Sequence, residues 1–267
     1  MGGESGAVMG SMEMAAIAAA ANQIARDIRT AIDKFAPKVL STRQRLARAL
    51  LTSSIEQSIA LTQLLARNDP YCAYPALTLF RPQLEALARG VFFAIPASSS
   101  DEEVASFLAA DKMPKRQPED GGKRRAQTLR ELLDSTREVL RQFLPPNLAA
   151  RVDYAYTYDL NLYNVIVHGG AKVDMAYRLS GDRLLFAPEF YQLMNIARHS
   201  MAQAHFAEGV LSAIVYRLDT PPDVTPERIR LIEAYGALSK QAGRRAIRRL
   251  VHASLVWLPF RLSAQRR

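Results

Sequence analysis

The sequence predicts an all-α protein: a multi-helix bundle over residues 11–218, followed by a basic C-terminal helical extension. Apolar residues recur at three- and four-residue steps through most of the chain, and runs that alternate as strands do are almost absent. The interruptions fall at proline, glycine and capping residues. Of the 267 residues 49% are hydrophobic and 23% charged, enough for a sizeable core and incompatible with wholesale disorder.

Residues 1–10 (MGGESGAVMG) read as a flexible start. From Ser11 to Ala36 an Ala-rich segment places Ile17, Ile24, Ile28, Ile32 and Phe35 on one apolar stripe. The pattern repeats from Val39 to Arg67 through Leu46, Leu50, Ile55, Ile59 and Leu64, and Asn68-Asp69-Pro70 closes it. A third helix is expected over Pro75 to Ile95, where Pro82 either bends it or opens a fresh first turn. Ser98-Ser99-Ser100-Asp101 with Glu102 and Glu103 forms an N-terminal cap with acids in the first turn, opening a short helix to Ala110. Residues 111–123 hold two prolines and two glycines and read as a loop.

Helices resume over Arg125 to Leu144 and Asn147 to Val167, parted by Pro145-Pro146. Ala171 to Ala187, with Ser180-Gly181-Asp182 inside it, reads as a small hairpin or an irregular crossing. Pro188 begins a long helix to Leu218. Residues 219–226 form a proline-rich linker through Thr220-Pro221-Pro222, and Thr225-Pro226-Glu227 caps a basic amphipathic helix and tail over 227–267.

The net charge of +9 is concentrated in that tail. Residues 227–267 carry ten Lys or Arg against two Glu, hence +8, which leaves 25 minus 24, or +1, on the first 226 residues. A neutral body argues against a broad nucleic-acid face on the bundle. The tail, with Arg244, Arg245, Arg248 and Arg249, suits a nucleic acid or another anionic surface. Opposite the arginines lie Ile247, Leu250, Val251, Leu255 and Trp257, an arrangement that also fits docking on the bundle, on a protein partner or on an anionic membrane. Leu255 to Phe260 is far short of the ~20 apolar residues of a membrane span. The Ala-rich run near the start lacks the preceding positive charge of a secretory signal. The single cysteine, Cys72, makes no internal disulfide, so the expectation is a soluble cytoplasmic protein.

Candidate chemistry lies in three places. Arg81, Glu85 and Arg89 stand four apart on one helical row; buried, two guanidiniums about one carboxylate would retain donors for a phosphate or another acid, and exposed they would be an ordinary salt-bridge ladder. His168 ends an apolar turn before Gly169-Gly170, with Asn164 and Asn161 four and seven residues back on the same face. Such a trio orients a hydroxyl or phosphate for acid–base work, although the two glycines and the helix dipole also account for it structurally. Arg198 and His205 stand seven apart, a cation near a proton carrier, with Met194 and Met201 sharing their face. His205 and Glu208 make half of a carboxylate–histidine metal site, but the second half is not found, so no metal is expected. There is no glycine-rich phosphate loop, nucleophile elbow or dinucleotide fingerprint, and no cofactor is expected.

The stretch R-P-x-x-E-x-x-x-R-G (Arg81 to Gly90) followed by V-H-G-G (Val167 to Gly170) resembles an uncharacterised family of bacterial all-helical proteins. The resemblance covers about residues 40–217, leaves the basic tail outside and implies no established activity. The shape it implies is similar to that of the HEPN superfamily, helical bundles that include metal-independent ribonucleases of toxin–antitoxin and antiphage systems. Those nucleases place an arginine, a polar residue and then a histidine four to six intervening positions after the arginine. His168 departs from the pattern, with Asn161, Leu162 and Tyr163 where the arginine belongs, whereas Arg198 to His205 satisfies it outside the two family motifs.

Two functions follow as expectations. The first is a non-enzymatic binding or regulatory bundle in which Arg81, Glu85, Arg89 and His168 form a buried network and the tail recruits an RNA or protein partner; a homodimer is compatible with it. The alternative is a HEPN-like endoribonuclease, in which the RNA 2′-hydroxyl attacks the adjacent phosphate, His168 or His205 moves the proton and arginine stabilises the developing charge.

Overall fold

The computed structural model describes residues 3–117, 121, 123–143, 177–180, 183–186, 190–218, 226, 228–238 and 240. Helices α1 (Gly3–Phe35), α2 (Thr42–Ala66) and α3 (Pro70–Ala94) lead into α4 (Asp101–Ala110). A pair of two-residue strands, β1 (Lys115–Arg116) and β2 (Arg125–Ala126), precedes α5 (Leu129–Phe143). A hairpin of β3 (Tyr177–Ser180) and β4 (Arg183–Phe186) precedes α6 (Phe190–Val210), which passes into a π-helical turn over Leu211–Val215. The protein is an all-α multi-helix bundle. Helix α2 packs on α1, α3 and α6, and α6 also touches α1 and α3, so these four make the core; α5 lies on α3 and α4 on α2.

The α1 stripe is buried at Ile17, Ile24, Ile28 and Ile32, with Ala18, Ala21 and Ala25 between them admitting close helix contact. Phe35, expected to complete the stripe, is the last residue of α1 and is 38% exposed; the Lys34 ammonium lies 5.7 Å from its ring centre. Residues 3–10 are helical and not the loose start expected. No proline interrupts them, and a helix nucleated downstream propagates at little cost.

Caps correct several boundaries. Helix α2 begins at Thr42, three residues after the expected Val39, because Ser41 and Gln44 form a reciprocal capping box. Asn68-Asp69-Pro70 does end α2, but it also starts α3 five residues early: Asp69 accepts from the Tyr71 amide at 2.9 Å and Pro70 sits in the first turn. Helix α3 then runs through both Pro75 and Pro82. The expected Ser100 cap is present, with Glu103 completing its box. Helix α5 starts at Leu129 and not Arg125, since Thr128 and Glu131 cap each other and Arg125 turns back to bind Glu131 at 2.6 Å. The loop after α4 is pinned by the β1–β2 pair, and Arg116 reaches the Ser98 carbonyl at 3.0 Å and Glu103 at 2.7 Å.

The segment before α6 is a hairpin, antiparallel with Ser180 opposite Arg183. Beyond α6, the π turn is closed by the Tyr216 amide donating to the Leu211 carbonyl at 2.8 Å, and Gln44 of α2 donates to the Val215 carbonyl at 2.6 Å. Residues 228–238 are helical and belong to the body: Arg228 and Tyr235 are buried, and Leu231, Ile232 and Leu238 pack against the core. The expected helix over 147–167, the linker over 219–225 and the arginine-rich stretch from 241 to 267 lie outside the described residues.

Candidate functional site

Helix α3 carries the first candidate. Phe80, Leu84, Leu87 and Val91 face the core and set the phase of the helix, which puts Arg81, Glu85 and Arg89 on its partly covered flank. The Arg81 Nε donates to Glu85 Oε1 at 2.9 Å, and Arg89 Nη2 lies 3.7 Å from Glu85 Oε2. Their side chains are 24%, 28% and 37% exposed in chain order. The row is therefore a half-exposed ladder and not the buried network expected. Gly90, which ends that motif, has a packing role: a Cβ there would stand 2.7 Å from Leu51 Cγ and 3.1 Å from the Leu51 amide nitrogen. His168 and Asn164 lie outside the described residues, as do Arg244, Arg245, Arg248 and Arg249.

A buried polar cluster does exist, built from other residues. Gln83 of α3, Ser58 of α2 and Ser200 of α6 are fully buried. The Ser200 hydroxyl donates to Gln83 Oε1 at 2.7 Å and lies 2.9 Å from Ser58 Oγ. The Ser200 carbonyl accepts from Gln83 Nε2 at 2.8 Å and from Ser58 Oγ at 3.2 Å. These bonds tie three helices at one level. Sequence reasoning passed over them, although a glutamine flanked at helical spacing by Phe80, Leu84 and Leu87 was the available signal.

The second described candidate changes partners. The structure shows no hydrogen bond between Arg198 and His205; the His205 Nδ1 instead lies 3.2 Å from Arg228 Nη2. Arg228 also grips Glu208 with both Nη groups, at 2.6 Å to Oε1 and through a second, shorter contact to Oε2. Glu208 Oε2 is 3.7 Å from His205 Nδ1. Burial is the largest influence on the Glu208 carboxyl and pushes it up, but the bonds and charges of His205 and Arg228 together outweigh it and hold the group below its ordinary value. Arg228 is 3% exposed, so one of the ten tail cations is a buried anchor for helix 228–238. Its position in a run of arginines hid that role.

Among the described residues no group of three or more His, Cys, Asp or Glu is placed to hold a metal, and no helix is long and apolar enough to cross a membrane.

An all-α bundle whose described polar clusters cross-link helices is the class that fold and site define. More particularly, the chain belongs to the family of unknown function DUF6988, whose model matches residues 51–213. The match begins at Leu51, takes in Gly90, the α3 ladder and the Gln83–Ser58–Ser200 cluster, and stops before Arg228 and the basic tail. No curated protein and no solved structure matches the chain.

Proposed function

We propose that the protein is a non-enzymatic binding or regulatory bundle of the cytoplasm that presents a basic C-terminal tail to a partner. The observation that carries this reading is the Arg228–Glu208 pair. It roots the first turns of the C-terminal segment, residues 228–238, in the body. The side chains that acid–base chemistry would need, where described, are already engaged: Glu85 with Arg81 and Arg89, and His205 with Arg228. The lone Cys72 and the absence of an internal disulfide fit a reducing compartment.

One observation favours the alternative, a HEPN-like metal-independent ribonuclease: an arginine does stand within 3.2 Å of His205, although it is Arg228 and not Arg198. An RNA-cleavage assay in EDTA separates the two readings, comparing wild type with Arg81→Ala, His168→Ala and His205→Ala, each verified as folded by its melting temperature. The binding reading expects no cleavage by any of them. It also expects partners co-purifying with the full chain to be lost when Arg244, Arg245, Arg248 and Arg249 are replaced by Gln. Cleavage by wild type that disappears in one folded variant would overturn it.

A further inference from the structure

Away from all of these clusters, α1 and α2 diverge around a concave pocket of ≈ 280 Å³ lined by Arg29, Leu40, Arg45, Arg48, Ala49 and Thr52. Three arginines thus line one small volume. Two carboxylates stand by: Asp33 binds Arg29 and lies 3.5 Å from Arg48, and Glu56 accepts from Arg29 at 3.1 Å. Three positive charges against two negative leave the pocket with an excess of one cation.

That excess resides on Arg45. Its guanidinium touches the Thr42 hydroxyl at 3.2 Å and forms no ion pair with a described carboxylate. Arg48 holds Asp33 only at 3.5 Å, a contact that an incoming anion can replace. Arg29 is different: the bonds it donates to Asp33 and Glu56 raise it above its ordinary value, so it is already ion-paired on both sides.

A second observation points the same way. Tyr216, just past the π turn, is 7% exposed, and its hydroxyl oxygen is buried with no hydrogen-bond partner among the described residues. Burial pushes its phenol above the ordinary value, and Arg48, Asp33 and Arg29 act on it through their charges. The hydroxyl of Thr52, which lines the pocket, is likewise buried without a partner. Leaving such groups unpaired is costly. A pocket with surplus positive charge, one of whose lining residues carries a buried hydroxyl without a partner, describes a receptor for an anion.

We propose that the pocket between α1 and α2 binds the phosphate of a small phosphomonoester, with Arg45 and Arg48 as its principal contacts. Forked guanidiniums match the tetrahedral oxygens of phosphate, which has room for both forks where a carboxylate has room for one. Leu40 and Ala49 offer the remainder of the ligand a small apolar wall. Its principal contacts, Arg45 and Arg48, lie before residue 51, where the family match begins.

Isothermal titration of the full chain with phenyl phosphate and, separately, inorganic phosphate at fixed ionic strength tests the proposal. The variants are Arg45→Gln, Arg48→Gln and the fourfold Gln substitution at Arg244, Arg245, Arg248 and Arg249. Arg45 is exposed, so its replacement leaves the fold intact and its melting temperature verifies this. The expected result is saturable one-to-one binding, phenyl phosphate tighter than inorganic phosphate, weakened about tenfold or more in either pocket variant. The tail variant should bind as wild type does, so this outcome does not depend on the tail's having a partner. No saturable binding at millimolar ligand overturns the proposal. So does binding that survives in Arg45→Gln and vanishes in the tail variant, or equal binding of phenylacetate in place of the phosphate.

Discussion

Gly90 of α3 packs directly against Leu51 of α2: any Cβ at position 90 would stand 2.7 Å from the Leu51 Cγ. Leu51 is itself fully buried among core side chains, so it has little room to yield. Gly90→Ala is expected to destabilise the bundle by about 1–3 kcal/mol, as overpacking does in closed cores. Urea unfolding measures it. The destabilisations of Gly90→Ala and Leu51→Ala should sum to more than that of the double variant, since the smaller leucine replacement relieves the clash. Additive losses would show that the two positions are independent.

Gln83 holds α6 by donating to the Ser200 carbonyl and accepting from its hydroxyl. Gln83→Ala leaves that hydroxyl and the carbonyl short of a partner in a dry interior, and a loss of about 1–3 kcal/mol is expected. The amide hydrogens of α6 should then exchange faster than those of α4, which has no part in the cluster. Uniform exchange in both helices would contradict the assignment.

Removing Arg228 isolates a buried carboxylate. Arg228→Ala is expected to cost about 3–5 kcal/mol and to open residues 228–238 to limited proteolysis. Replacing both members, as Arg228→Met with Glu208→Leu, should recover most of that stability, because no charge is then left unpaired. If the double replacement is as unstable as the single one, packing and not charge is what anchors the segment.

The same pair gives the bundle an acid dependence. The folded Glu208 carboxyl lies below its unfolded value, so its stabilising contribution is complete above the ordinary carboxylate range and is lost as pH falls through the lower folded value. Glu131 behaves likewise: the Arg125 hydrogen bond, with help from the Thr128 amide and hydroxyl, holds it at about 2. Melting curves from neutral to strongly acid pH should show wild type losing stability over that window. Glu208→Gln should lose less, having no carboxylate at that position to protonate.

The helices were legible in the sequence because periodicity reports burial directly. Ile17, Ile24, Ile28 and Ile32 could be assigned to the core from spacing alone, and Ser100 announced its helix by the residues that follow it. Boundaries were harder where one short run serves two helices. Asn68-Asp69-Pro70 reads as a stop, and only its geometry shows Asp69 also acting as a start. The described polar clusters were least legible, because hydrogen bonds between helices join residues far apart in the chain. Ser58 and Ser200 carry no mark that separates them from exposed serines, and Arg228 looks like any other tail arginine until Glu208 is beside it. Arg29 is likewise separated from Arg45 and Arg48 in the chain, and only the packing of α1 on α2 brings the three to one pocket.

The π turn at 211–215 marks where this stretch can absorb a change of length. Each residue of an α-helix advances the side chains by about 100°, and a turn closed over five residues holds one more than an α-helical turn would. Deleting the exposed Ala213 would therefore return the turn to α-helical step and leave the residues on either side close to their present places. Tyr216 would stay in the core, and the Val215 carbonyl would stay within reach of Gln44. The loss of a single residue is thus tolerable here where it would rotate every later side chain if made in the regular turns of α6, and natural variation in this stretch should include lengths shorter by one.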